Sequence, residues 1–294
     1  MLQYSQCFNK RCFIILLTLL IVSCNSPEKQ RDPSIIKGET YIDEMRYNEA
    51  LEIFTLYLKK DSTDLVALQD KVFCLMELNK MEESFKLLKN ALLIDSLSPS
   101  LLINFGRYYL RQGDLEMAEK YDIKAVKIDP SYAIAYSNLG MIYGMEGKNE
   151  LAMKYYNKSI EINPKYWGFY MNRGALYRMI GNYNLALLDL NKALNNDKSL
   201  VVKIHSFFLR GMVYRDQMEF KKSIDDFTSS INLKQDYQSL SDLNHYYRGL
   251  SYFAIKEYQL ALKDLQEAKR LGWTENIDTI IKETEDQLDE KIGK

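Results

Sequence analysis

Asparagine recurs at positions 104, 138 and 172, an amide repeated at a strict interval of 34 residues. A primary amide both donates and accepts hydrogen bonds, so a column of Asn104, Asn138 and Asn172 can hold the main chain of an extended peptide without reading its side chains. The same amides can equally bond within their own scaffold, and spacing alone does not choose. Around them stand Arg107, Arg111, Arg178 and Arg215, whose planar guanidinium groups suit carboxylates. Met141, Met145, Met171, Met179 and Met212 add flexible thioethers, which suit either an adaptable apolar surface or the gaps between packed helices. The chemistry on offer is reversible binding of a protein or peptide.

Groups for bond-making are scarce. The two histidines, His205 and His245, lie far apart, and neither has a second histidine four residues away, so no metal site is expected and both read as packing or surface residues. Gly249-Leu250-Ser251 lacks the second glycine of a nucleophile elbow, and no P-loop or dinucleotide fingerprint occurs. Asp225-Asp226 and the acids from Asp286 to Glu290 read as solvated helix faces. Neither an enzyme nor a cofactor is expected. With 39 basic against 40 acidic side chains there is no electrostatic footprint for nucleic acid.

The N-terminal residues read as an address. Lys10 and Arg11 precede an apolar run from Cys12 to Val22, too short at ~1.5 Å per residue to cross a ~30 Å hydrocarbon core as a helix. Leu20-Ile21-Val22-Ser23-Cys24 resembles a bacterial lipobox, which implies cleavage before Cys24 and acylation of that cysteine. An uncleaved apolar anchor and a cleaved, secreted form are the other readings of the same residues. The resemblance implies a lipid-anchored protein of the cell envelope, at the outer membrane, facing the periplasm or the cell surface. Cleavage would leave Cys74 as the one free thiol, and acids would outnumber bases by three, so no polybasic grip on anionic lipid is implied.

Thirteen glycines and 5 prolines in 294 residues are too few turn-formers for an all-β domain. The glycines stand in register instead. Gly38, Gly106, Gly140, Gly174, Gly211 and Gly249, with Val72 in the gap, recur every 34 residues and then at slightly longer steps. Three residues after each come Tyr41, Leu75, Tyr109, Tyr143, Tyr177, Tyr214 and Tyr252. Small residues form two further columns, one through Ala118, Ala152 and Ala186 and one through Ala91, Ala125 and Ala193.

These columns resemble the tetratricopeptide repeat, in which each repeat is a pair of antiparallel helices. The resemblance implies an all-α, right-handed α-solenoid of about seven helix pairs plus a C-terminal capping helix. It divides the chain into a signal peptide (1–23), a lipidated cysteine and tether (24–33), a solenoid (34–275) and a capping helix with tail (276–294). The repeats fall at 31–64, 65–98, 99–132, 133–166, 167–200, 204–237 and 242–275. Gly113, Gly147 and Gly181 mark turns between paired helices, Asp32 is expected to cap the first helix, and Thr274 the last.

Repeat position 24 reads Phe54, Leu88, Asp122, Tyr156, Leu190, Phe227 and Leu265, so Asp122 is a misfit whose space Tyr121 is expected to fill. Extra residues at Val201 to Lys203 and Gln238 to Ser241 are expected to lengthen a helix or loop, with Phe208, Tyr246 and Phe253 lining an altered groove. The resemblance also implies a concave groove, built from the first helices, that binds a protein or extended peptide. A structural subunit of an envelope complex is the alternative.

Overall fold

The computed structural model describes residues 32–233 and 238–293, and among these there are fifteen α-helices and no strand. The apolar N-terminal run, Cys24 and most of the tether lie outside the described residues. Two compact units divide the chain at Asn172. The first holds α1 (Pro33–Asp43), α2 (Tyr47–Tyr57), α3 (Leu65–Glu77), α4 (Met81–Ile94), α5 (Pro99–Gln112), α6 (Leu115–Ile128), α7 (Ala133–Met145), α8 (Asn149–Ile162) and the start of α9 (Trp167–Met179). The second holds the rest of α9, then α10 (Tyr183–Asn196), α11 (Leu200–Asp216), α12 (Phe220–Leu233), α13 (Gln238–Ala254), α14 (Tyr258–Arg270) and α15 (Ile277–Ile292).

Helices are paired by one recurring turn. In each pair a left-handed residue follows the first helix at the same repeat position: Met45, Asn79, Gly113, Gly147, Gly181, Met218 and Lys256, with φ between 58° and 78°. The next N–H then reaches back to the carbonyl of the tyrosine-column residue, at 2.7 Å for Arg46 to Tyr41, 2.9 Å for Asp114 to Tyr109 and 3.0 Å for Glu257 to Tyr252. This satisfies a carbonyl that the helix end would otherwise orphan. The chain enters α1 as its sequence dictates: Asp32 accepts from Ser34 N–H at 2.7 Å, and Pro33 takes the first helical position, where a missing N–H costs nothing.

The glycine column exists because the second helix of each pair presses its position-24 side chain against the first. A methyl on Gly140 would lie 2.8 Å from the buried ring of Tyr156, and one on Gly38 would lie 2.5 Å from the ring of Phe54. Asp122 corrects the expectation for the third repeat. It fills the slot itself, fully buried against Gly106, while Tyr121 stacks on Phe105 at 4.9 Å and on Tyr109 at 5.6 Å. A carboxyl is small enough for this slot, and Tyr121 finds more apolar contact one position to the side.

In the second unit a pattern appears that the column reading missed. Arg173, Arg210 and Arg248 each precede a column glycine, and each holds an aspartate sixteen residues on through paired hydrogen bonds of 2.6–3.0 Å: Asp189, Asp226 and Asp264. The corresponding pair in the third repeat is Phe105 on Tyr121. Such two-point contacts tie the two helices of a pair in a fixed register.

The longer repeat steps are extra helical turns: α11 and α13 have 17 residues each, and begin at Leu200 and Gln238, four residues ahead of positions 204 and 242. In α15, Ile277 and Ile280 are buried while Lys282, Glu285, Asp289 and Glu290 face water. Its cap is not Thr274 but Asn276, a left-handed residue without a side-chain capping bond. Trp273 forces that entry: it is buried against Tyr246 at 4.5 Å and donates to the carbonyl of Glu275 at 3.0 Å, so the chain turns late.

Candidate functional site

The amides of the 34-residue column all lie buried. Asn138 donates from Nδ2 to Oδ1 of Asp122 at 3.2 Å, and Asn172 donates to the hydroxyl of Ser137 at 3.1 Å. In both, the contact is made between neighbouring elements of the scaffold in the first unit. Burial pushes the Asp122 carboxyl well above the usual carboxylate range, and the bond from Asn138 and the charge of Arg107 oppose this only in part. Its Oδ2 has no hydrogen-bond partner in the structure.

Arg107, Met141, Met171 and Met212 are buried as well, whereas Arg111, Met145, Arg178, Met179 and Arg215 keep part of their surface in solvent. The accessible five stand at the C-terminal ends of first helices, on repeat positions 12 and 13. Residue type does not separate them from their buried neighbours, but repeat position does: buried Arg107, Met141 and Met212 stand on position 9 and Met171 on position 5.

In the first unit, Arg111 pairs with Glu77 and donates to the carbonyl of Met76 at 2.7 Å. Arg107 lies over the ring of Phe73, 5.4 Å from its centroid. Burial raises the Glu77 carboxyl, and both guanidinium groups pull it back; burial likewise lowers Arg107.

In the second unit, Arg178 pairs with Asp216 at 2.7 Å, and Arg215 lies over the ring of Tyr247 at 5.4 Å. Burial lowers Arg215, Tyr247 and Asp216 oppose that, and the charge of Arg178 reinforces it. Its Nε is buried without a hydrogen-bond partner. Asp216 thus acts on both guanidinium groups, and the Arg215 charge is partly desolvated, a setting in which a carboxylate binds more strongly than on open surface. Met179 adds a half-buried thioether on the last turn of α9.

The aromatic residues expected to line the later repeats separate into core and surface. Phe208 is buried between Phe227 at 5.8 Å and Tyr247 at 6.1 Å, Tyr246 stacks on Trp273, and Phe253 keeps part of its surface beside Tyr258. His205 is buried with Nδ1 at 2.8 Å from the carbonyl of Val201, and His245 lies 3.0 Å from Asp264. Cys74 is buried, and burial raises its thiol far above the usual range. Among the described residues no group of three His, Cys, Asp or Glu side chains could hold a metal ion.

Helix pairs joined by one repeated turn, with a glycine in six of the seven first helices packed under a side chain of the second, define an all-α repeat protein. Three family models described as tetratricopeptide repeat match residues 99–132, 133–166 and 155–187, and together with the structural neighbours they support a tetratricopeptide repeat protein. A chain in the crystal structure of the APC/C hetero-tetramer Cut9-Hcn1 is similar over 92% of this chain and 52% of its own, with a TM-score of 0.77 and 20% identity. A tetratricopeptide repeat protein from Parabacteroides merdae is similar over 85% of this chain and 97% of its own, with a TM-score of 0.58 and 18% identity. Both likenesses concern the fold. A curated relative, the probable UDP-N-acetylglucosamine–peptide N-acetylglucosaminyltransferase SPINDLY of Solanum lycopersicum, is 35% identical over 91 residues. That stretch is 31% of this chain and 10% of the relative, so the chain spans about a tenth of that protein's length.

Proposed function

We propose that this protein is a membrane-anchored scaffold, acylated at Cys24, that holds a protein or extended peptide partner without making or breaking bonds. Tetratricopeptide repeats suggest a protein-interaction scaffold, and the accessible ends of the first helices supply the contact groups. One observation carries the choice of partner chemistry: Arg215 keeps part of its surface in solvent while burial and the charge of nearby Arg178 work against its charged form, a balance that an added carboxylate improves. An acidic side chain of the partner completes that arrangement, with Met179 giving apolar contact beside it. The buried Asn138 and Asn172 serve the scaffold in this reading and touch no partner.

Affinity capture from membranes in mild detergent, followed by mass spectrometry, identifies the partner. Arg215→Ala should then weaken its binding about tenfold, equivalent to ~1.4 kcal/mol, measured at a temperature where the variant is fully folded. Equal affinity of wild type and variant would refute the assignment. Cys24→Ala should abolish fatty-acid labelling and release the protein from membranes, and persistent labelling would overturn the anchor.

A further inference from the structure

The first unit leaves six large aliphatic side chains exposed among its described residues: Ile36, Leu56, Leu93, Ile94, Leu97 and Ile128. Leu93 is 86% exposed, Leu97 60% and Leu56 58%. Single exposed aliphatics are common and need no explanation, but these six share a place. Ile36 lies in the first turn of α1, Leu56 at the end of α2, Leu93 and Ile94 at the end of α4, Leu97 in the loop after it, and Ile128 at the end of α6. Paired helices joined by a short turn run antiparallel. Starts of first helices and ends of second helices therefore share one edge of the unit, and the turns at Met45, Asn79, Gly113 and Gly147 form the other. Among the described residues of this unit no large exposed aliphatic side chain lies at the turn edge.

The chain arrives at that same apolar edge. Asp32 caps α1 there, and Cys24 stands eight residues before it, no more than about 29 Å of extended chain. Exposed Lys59, Lys60 and Lys127 flank the aliphatic residues. Long amine side chains beside leucine and isoleucine suit the boundary between lipid headgroups and acyl chains, where the stem can lie in the apolar layer and the charge in water.

We propose that this edge of the first unit rests on the surface of a phospholipid bilayer and inserts Leu93, Leu97 and their neighbours into its headgroup layer. The proposal rests on the anchor at Cys24: a lipid on that cysteine keeps this apolar edge within tether reach of the bilayer surface, where burial of exposed aliphatic side chains adds to the hold. A second copy of the chain is the competing occupant, but the short tether favours whatever surface holds the lipid.

The test uses the full lipidated protein in vesicles of phosphatidylethanolamine and phosphatidylglycerol, with Leu97→Trp as reporter and Gln112→Trp as its counterpart on the turn edge. The emission of the native Trp167 and Trp273 is subtracted using wild type, and Leu93→Trp serves as a second reporter. The expected result is flotation with the vesicles, loss of Leu97→Trp emission to brominated acyl chains and no such loss for Gln112→Trp. Flotation with no quenching at either leucine reporter refutes the edge while the anchor stands. A blue shift at Leu97→Trp without quenching means that a second copy covers the edge, and refutes the proposal too. Protein that neither floats nor takes up fatty acid overturns both readings.

Discussion

Replacing Asn138 by alanine separates a scaffold amide from a peptide-binding one. Asn138 is 2% exposed, and its Nδ2 is the hydrogen-bond donor to a fully buried carboxyl. The other oxygen of Asp122 already lacks a partner, so the variant strands the whole group in the core. A buried polar atom left without its bond costs about 1–3 kcal/mol, and the small void left by the amide adds a fraction of that. A total of about 2–3 kcal/mol, at 2–4 °C per kcal/mol for 150–250 residues, lowers the melting temperature by about 5–10 °C. Circular dichroism melts of Asn138→Ala, alone and combined with Asp122→Leu, measure this. Leucine occupies the same slot against Gly174 and Gly249, so it fits the repeat. With no carboxyl to strand, the alanine should cost less by about 1–2 kcal/mol in that background, the size expected for coupled neighbours. An amide that served only a bound peptide would leave melting untouched. A melting temperature within about 1 °C of wild type, or equal costs in the two backgrounds, would refute the reasoning.

Two further outcomes follow from the same structure. Burial holds the Asp122 carboxyl well above its unfolded value of about 4, so the folded state keeps a proton that the unfolded chain releases, and stability falls as pH rises from about 4 through the folded value. Asp122→Asn removes that loss, so its urea midpoint relative to wild type should be higher at pH 7 than at pH 4, and a pH-independent difference would count against it. Met218 is 77% exposed and left-handed at φ 61°, so Met218→Gly relieves backbone strain without losing packing and should raise stability by about 0.5–1 kcal/mol in urea titration. A destabilised variant would show that the turn is held by the side chain.

Most of the fold could be read from the sequence because its columns are steric. Gly140 sits where Tyr156 leaves no room for a methyl, and such a constraint must recur in every repeat built the same way. The turns were half legible: Gly113, Gly147 and Gly181 announce a left-handed residue, whereas Met45, Asn79, Met218 and Lys256 adopt the same conformation without a glycine to mark it. There the helix-end hydrogen bonds outweigh the local preference. The Arg–Asp pairs could have been found by asking which residues adjoin the glycine and position-24 columns. The candidate site was less legible. Met and Arg recur on both the buried and the accessible rows of the first helices, while the candidate Asn residues are all buried, and residue type alone does not say which neighbour covers each one. Asn172 meets Ser137 from the preceding repeat, a contact that no count along one helix contains.

The paired ions of the second unit bear on how its sequence can change. Arg210 and Asp226 are joined at two points, and losing either partner alone leaves a half-buried charge with no counterpart, at a cost that can reach several kcal/mol. Phe105 and Tyr121, in the matching place of the first unit, can each step to another apolar residue separately at a smaller cost. At this pair of repeat positions the two units thus differ in freedom to vary: the second must alter both residues together, sixteen apart, while in the third repeat Phe105 and Tyr121 can change one at a time.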